Sequence, residues 1–445
     1  MQDPNRLIGF VVFIIIGPFL LLPGFGQEQS DAQETEQETW SIHFQTTSIG
    51  QYHDNFFSLY EGVNSLPSHP ETRMSFTATG FIGLHIFGST DLIVDPEVSA
   101  GRGFGQVTGI AGFPNGEITR VTSVTPQFYI ARALIRQVWS IGKETETVDD
   151  DANQVAGKQP VRRLTWILGK FALPDRFDNN ACSNDPRTQF LNWALMTNGA
   201  WDYPADVRGY TVGTMLELTM KQWSLRAAVV TEPTTANGPT LDWRLSKNRG
   251  TAAEWEWRHK WAGRAGAFRI LGFFNREDAG TFRQAFLPDG SVDLAETRRN
   301  GTEKYGFGIN FDQDLTQNIS AFGRYGWNDG KTESFAFSQI DRSLSGGVNI
   351  KGNLWRRDRD HVGIAAVRNF LSGDQRRFLE AGGVGFIIGD GRLNYDPESI
   401  IEAYYALRAT KRWTLSADYQ HIQNPAYNRD RGPLWVASIR LHWEY

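Results

Sequence analysis

From Trp435 onward the chain alternates. Trp435, Ala437, Ile439, Leu441, Trp443 and Tyr445 are apolar, and Ser438, Arg440, His442 and Glu444 stand between them. The same period recurs upstream. Ala253, Trp255 and Trp257 alternate with Glu254, Glu256 and Arg258. Trp413, Leu415, Ala417 and Tyr419 alternate with Thr414, Ser416, Asp418 and Gln420. Tyr305, Phe307, Ile309 and Phe311 alternate with Gly306, Gly308, Asn310 and Asp312. A period of two belongs to a strand with unlike faces, not to a helix.

Link lengths alternate as well. Very short links at 220–222, 262–266, 314–317 and 410–412 are separated by long segments at 232–250, 276–303, 328–342 and 371–397. A soluble sandwich alternates too, but it keeps its polar face outside and its loops short at both ends. Short turns at one end and long loops at the other belong to an outer-membrane barrel. Counting back from 434–445 as a sixteenth strand gives 413–422, 400–409, 361–370, 343–352, 318–327, 304–313, 267–275, 251–261, 223–231 and 210–219. Five strands remain for the N-terminal part: 40–48, 74–87, 91–100 (which contains Pro96), 127–138 and 163–171. With both termini in the periplasm, every short link then falls on the periplasmic side. The pattern predicts an all-β fold, a transmembrane antiparallel β-barrel of about sixteen strands. Lipid offers backbone amides no partner, so the sheet must close on itself. Its apolar face meets lipid and its polar face lines a watery lumen.

Composition sharpens this picture. The chain has 445 residues, 13% of them aromatic, with 15 Trp; Trp and Tyr at strand ends suit the two membrane interfaces. The net charge of −5 is spread along the chain, which gives no reason to expect a nucleic-acid partner. Cys182 stands alone, so no internal disulfide can form. Arg6 precedes an uncharged run from Leu7 to Leu22, and small residues at Gly24 and Gly26 fit a cleavage site. We therefore expect a signal peptide over 1–26, a disordered acidic leader over 27–39 and a barrel over 40–445.

Four long stretches resemble the carbohydrate-selective porin family (OprB type). They are NDPRTQFLNWALMTNGAWDYPADVRGYTVG (184–213), RYGWNDGKTESFAFSQIDRSLSGG (324–347), AGGVGFIIGDGRLNYDPESIIEAYYALR (381–408) and NPAYNRDRGP (424–433), joined by GFPNGE (112–117). The resemblance implies a sixteen-stranded outer-membrane channel with inward-folded outer loops, for passive uptake of mono- and small oligosaccharides. The insert at 139–162, with Asp149, Asp150 and Asp151 in a nominally periplasmic turn, lies outside the stretches that carry the resemblance.

Strand parity makes 172–209 the third outer loop, and the resemblance favours it as the constriction. It carries Asp175, Arg176, Asp178, Asp185, Arg187, Trp193, Trp201, Asp202, Tyr203, Asp206 and Arg208. Carboxylates and guanidinium groups bond paired hydroxyls bidentately, and aromatic rings cover the apolar face of a pyranose. Mixed signs suit a neutral solute. The candidate contacts are Arg187, Trp201, Asp202, Arg208 and Asp185, with Asp329 and Glu333 from the sixth loop. The same groups would serve equally to pin the loop to the wall. Asn328-Asp329-Gly330 is first a turn signal, and the eighth loop, 424–433, reads equally as a rigid surface loop. Lumen positions on the strands include Arg132, Arg136, Arg226, Glu254, Glu256, Arg258, Arg269, Arg324, Asp418 and Arg440, because charge facing lipid is costly.

No HExxH, CxxC, GxSxG or P-loop occurs, and the eight histidines show no metal spacing. The expectation is a channel and not an enzyme, with no cofactor and no metal. Its partners would be small sugars and outer-membrane lipid, and both a monomer and a homotrimer stay open. The alternative is a general or anion-selective porin of the same architecture.

Overall fold

The computed structural model describes residues 38–120, 123–337 and 339–445. The expected signal peptide lies outside them, as does the leader up to residue 37. Sixteen antiparallel strands close into one barrel, each paired with its neighbours in sequence. They are β1 (Trp40–His53), β2 (Glu71–Phe87), β3 (Thr90–Gly101), β4 (Gln127–Ser140), β5 (Arg163–Phe171), β6 (Thr211–Thr219), β7 (Trp223–Val230) and β8 (Arg249–Trp261). Then follow β9 (Arg264–Ala279), β10 (Arg299–Asp314), β11 (Ile319–Asn328), β12 (Arg342–Lys351), β13 (His361–Phe370), β14 (Glu398–Arg408), β15 (Trp413–Gln423) and β16 (Leu434–Glu444).

The seam is made by β1 and β16, in register from Gln45 opposite Glu444 to His53 opposite Val436. Tyr445 extends it by exchanging backbone hydrogen bonds with Phe44. Every amide along the seam thus finds a partner inside the sheet, as the bilayer demands.

Alternation sorts the side chains as expected. On β8, Trp255 and Trp257 stay 39% and 44% exposed on the outside, while Glu254 and Glu256 are buried within. On β16, Ile439 and Leu441 face out, and Ser438, Arg440 and His442 are buried. Aromatic rings gather at strand ends. Phe44, Trp413 and Tyr445 surround Trp443 near the periplasmic rim, with centroids 5.6–6.3 Å away. Tyr52 meets Trp435 at 5.6 Å near the other rim. This is the placement that interfacial rings prefer.

All sixteen expected strands are present, but several are longer. β9 runs to Ala279 and β10 starts at Arg299, beyond the expected 267–275 and 304–313. The extra residues include Arg276, Glu277, Asp278 and Glu303, and Arg276 pairs with Glu303 across the hairpin at 2.9 Å. Above the bilayer both faces of a ribbon are polar, so no alternation marks the strand there. Pro96 is accommodated by a bulge. Asp95 pairs with Arg132 but Pro96 pairs with Ile130, which leaves Ala131 as the extra residue. Proline has no N–H for the ladder, and a bulge is where it can sit. The bulge also shifts parity, so Tyr129 and Arg132 both face inward.

The 139–162 insert is not a simple turn. Thr145–Val148 pairs with Gly157–Pro160 as a small ribbon, with Val148 opposite Gly157.

Candidate functional site

The lumen is occupied by loops. Loop 3 (172–210) crosses it and is tied to the wall on every side. Arg324 on β11 meets Asp178 at 3.0 Å and also donates to Leu195 O and Ser183 O. Arg440 on β16 donates to Pro186 O and Gln189 O, both at 2.7 Å. Glu402 on β14 accepts from the backbone of Leu191 (2.6 Å) and Asn192 (2.9 Å). Lys304 on β10 meets Asp202 at 2.9 Å. Buried charges tolerate such a site only when paired or hydrogen-bonded: Arg324 and Lys304 meet carboxylates, Arg440 meets carbonyl oxygens and Glu402 meets backbone N–H groups.

Loop 2 (102–126) folds in beside it and supplies GFPNGE. Phe113 stacks on Trp193 with centroids 5.1 Å apart, and Pro114 O accepts from Gln51 on β1 and Gln420 on β15. A loop that was notable only as family-like sequence is therefore a buttress of loop 3.

Two cavities beneath loop 3 flank Asp175. The first, about 240 Å³, is lined by Arg132, Asp175, Asp185, Arg187, Trp193 and Thr197, with Arg208 and Tyr210 beside them. The second, about 330 Å³, is lined by Arg176, Arg226, Glu256, Arg258 and Glu217. In the first, Trp193 Nε1 and Thr197 Oγ1 are buried and have no hydrogen-bond partner among the described residues. In the second, the Arg176 side chain has no hydrogen bond or ion pair to any described residue.

The candidates chosen from sequence divide accordingly. Arg187, Asp185 and Arg208 border the first cavity. Arg187 is also a pin: it reaches Glu117 (2.7 Å), Glu97 (3.0 Å) and Thr79 (2.9 Å). Arg208 lies over the Tyr129 ring, 3.8 Å from its centroid. Four others are engaged in holding the loops. Trp201 is 1% exposed and packs against Phe177 and Tyr203, so it belongs to the loop's own core. Asp202 is spent on Lys304 and on the backbone N–H groups of Phe335 and Ala336. Glu333 binds Arg298 at 2.7 Å and Gly280 N at 2.8 Å, tying loop 6 to loop 5. Asp329 is buried beside Lys331 in a turn where Asn328 Oδ1 accepts from Gly330 N. None of the four lines either cavity.

The strand candidates all face inward, but only some reach open space. Arg226, Glu256 and Arg258 line the second cavity. Glu254 is enclosed between Arg226 (2.5 Å) and Asp178 N (2.7 Å). Arg324 is saturated by loop 3, and Asp418 is buried beside Gln420. The eighth loop is not a surface loop. Tyr427 is fully buried and donates to Gln339 O at 2.9 Å. Trp193 and Arg176 were in the third loop's roster, yet nothing in the sequence separates them from Trp201 and Arg187; Thr197 carries no signal at all.

Cys182 lies in loop 3, 2% exposed. Burial, reinforced by Asp312 and Asp314, pushes its thiol up to about 12. A raised pKa starves the thiolate at neutral pH. We expect the folded barrel to resist maleimide at pH 7.5 over hours and to label within minutes once unfolded; fast labelling of the folded form would contradict the burial. Among the described residues no group of three or more His, Cys, Asp or Glu is arranged to hold a metal ion.

A family model described as "Carbohydrate-selective porin, OprB family" matches residues 97–445. Among solved structures, the high-pH structure of Pseudomonas putida OprB aligns with a TM-score of 0.65 at 15% identity, covering 91% of this chain and 94% of that chain. The outer membrane channel DcaP of Acinetobacter baumannii aligns with a TM-score of 0.51 at 9% identity, covering 93% of this chain and 100% of that chain. At such identities the likeness is one of fold. No curated protein matches the chain.

Proposed function

The chain belongs to the OprB family of carbohydrate-selective porins, and from that premise we propose that sugars cross the barrel along the underside of loop 3, through the two cavities that flank Asp175. The protein is an outer-membrane porin for passive diffusion of carbohydrates, a channel rather than an enzyme. What remains to be assigned is how this chain handles its solute.

One observation carries the assignment. The first cavity is lined by Arg132, Arg208, Asp175 and Asp185 and by the rings of Trp193 and Tyr203, and just behind this wall Trp193 Nε1 and Thr197 Oγ1 are buried without a partner among the described residues. Buried polar groups are nearly always hydrogen-bonded, so this unspent pair, one atomic layer behind a wall of paired charges and rings, gives a guest rich in hydroxyls two further partners when the wall gives slightly. Arg132 and Arg208 border the same space, and Arg176 extends the set into the second cavity. Their charges are balanced by Asp175, Glu217 and Glu256, which suits a neutral solute better than an ion. Contacts must stay few and weak, or the sugar would not leave.

The test is glucose block of single-channel current. Each hydrogen bond to such a guest contributes about 0.5–1.5 kcal/mol, so Trp193→Phe with Thr197→Val should weaken block about tenfold. Open-channel conductance should stay near wild type, because Thr197→Val is nearly isosteric and Trp193→Phe keeps an aromatic ring between Phe113 and Phe337 without adding bulk to the lumen. Unchanged block would remove this cavity from the pathway.

We read residues 1–26 as the export signal that delivers the barrel to the outer membrane. N-terminal sequencing of the mature protein tests this.

A further inference from the structure

The 139–162 insert enters the bore. Its Asp150 carboxylate accepts from Ser41 Oγ at 2.7 Å and lies 3.0 Å from His43 Nε2, both on the inner face of β1. Val155 is buried, and its Cγ2 lies 2.9 Å from where a side chain on Gly83 of β2 would begin. Only glycine leaves room for it there. At the tip, Asn153 adopts φ +60°, and its amide lies 2.8 Å from an Asp95 carboxylate oxygen, close enough to donate. Asp95 stands five residues into β3 from Thr90. At about 3.3 Å per residue on a strand tilted by about 40°, that is roughly 12 Å above the periplasmic end, near half the apolar height of such a barrel.

The tip also meets the first cavity. Ala152 and Asn153 line it from below, opposite the loop 3 residues Trp193, Thr197 and Arg208. The space between them measures about 240 Å³ and is open to the rest of the bore. By narrowing the bore from below at this height, the tip obstructs two joined rings more than a single pyranose. We infer that the insert is a periplasmic-side floor to the sugar cavity, and that it sets the channel's preference for monosaccharides over disaccharides. The inference rests on the proposed passage of sugars through that cavity. Loop 3 then acts as the upper jaw and the insert as the lower one. Asp150, through Ser41 and His43, is a positioning residue for the lower jaw.

The ribbon suggests how to remove the floor without disturbing the barrel. Val148 and Gly157 are paired, so replacing 149–156 by Asn-Gly gives a two-residue hairpin loop that keeps the ribbon's register. Liposome swelling with glucose, maltose and mannitol, on protein whose folding is verified by heat-modifiable gel mobility, reads the effect. We expect the maltose-to-glucose rate ratio to rise at least fivefold in the shortened chain. An unchanged ratio in a folded, shortened barrel overturns the inference. Should that chain fail to fold, Ala152→Trp in the full-length barrel decides: the indole should fill the cavity and slow glucose severalfold, and wild-type glucose entry would overturn the inference equally. Failure of the sugar passage itself shows differently. Wild type would then admit glucose no faster than mannitol, which lacks a ring face, and the subsite falls with that result whatever the maltose ratio.

Discussion

Replacing Arg324 by alanine should release loop 3 from the barrel wall. Its guanidinium is 3% exposed and binds the Asp178 carboxylate, and it also donates to the backbone carbonyls of Leu195 and Ser183. Deleting one partner of a buried pair leaves an uncompensated charge, which costs about 3–5 kcal/mol. Asp178 keeps only neutral donors, Asn310 Nδ2 at 2.8 Å and Asn198 N at 2.8 Å. The strand ladders do not depend on this side chain, so the barrel should stay heat-modifiable. Loop 3 should become protease-sensitive, and single-channel current should grow larger and noisier. Because removing both charges is far milder than removing one, Asp178→Asn in the Arg324→Met background should regain much of the quiet, protected state. Wild-type current and protease resistance in Arg324→Ala would refute the view that loop 3 is held by its buried ion pairs.

The second large effect lies on the outer face. Ile270→Arg should destabilise the barrel by about 2–4 kcal/mol, the cost of placing Arg against lipid at mid-depth. Ile270 is exposed near the middle of β9, between Trp255 on β8 and Ile309 on β10. Its neighbour Arg269 is comfortable because it faces inward, paired with Glu256 at 2.9 Å and Asp312 at 2.6 Å. Phe311→Arg, close to the periplasmic end of β10, should cost about 1 kcal/mol or less. Urea titration of the refolded protein in lipid vesicles measures both. Equal penalties at the two depths would contradict the membrane placement of this face.

The barrel was legible in the chain and its interior was not, for one physical reason. A bilayer imposes a simple rule on every strand: apolar outward, polar inward, with a turn at fixed intervals. Trp255, Trp257, Ile439 and Leu441 obey it, and so the strands could be counted from sequence. Loops inside the lumen obey no period. Trp193 and Trp201 sit in one loop and one family-like stretch, yet Trp193 lines a cavity and Trp201 is packed away from it against Phe177 and Tyr203. Glu333 looked available, but its partner Arg298 comes from a different loop. Asp150 looked like part of a solvated acidic turn, but Ser41 and His43, distant in sequence, draw it into the bore. Pairings at such separations are set by the closed sheet and leave no local mark.

The seam between β1 and β16 has a consequence for the protein's life before it works. Its first ribbon waits for its last, so no watertight cylinder can exist while translation is under way. Until Val436–Glu444 is available to meet Gln45–His53, both edges stay open templates for any passing strand. Such a chain has to be carried across the periplasm unclosed and shielded, and its zipping belongs to the membrane in which it will reside. Contacts that span the whole chain also form late and slowly, which makes this joint the step at which a cell could most readily check, or lose, the molecule.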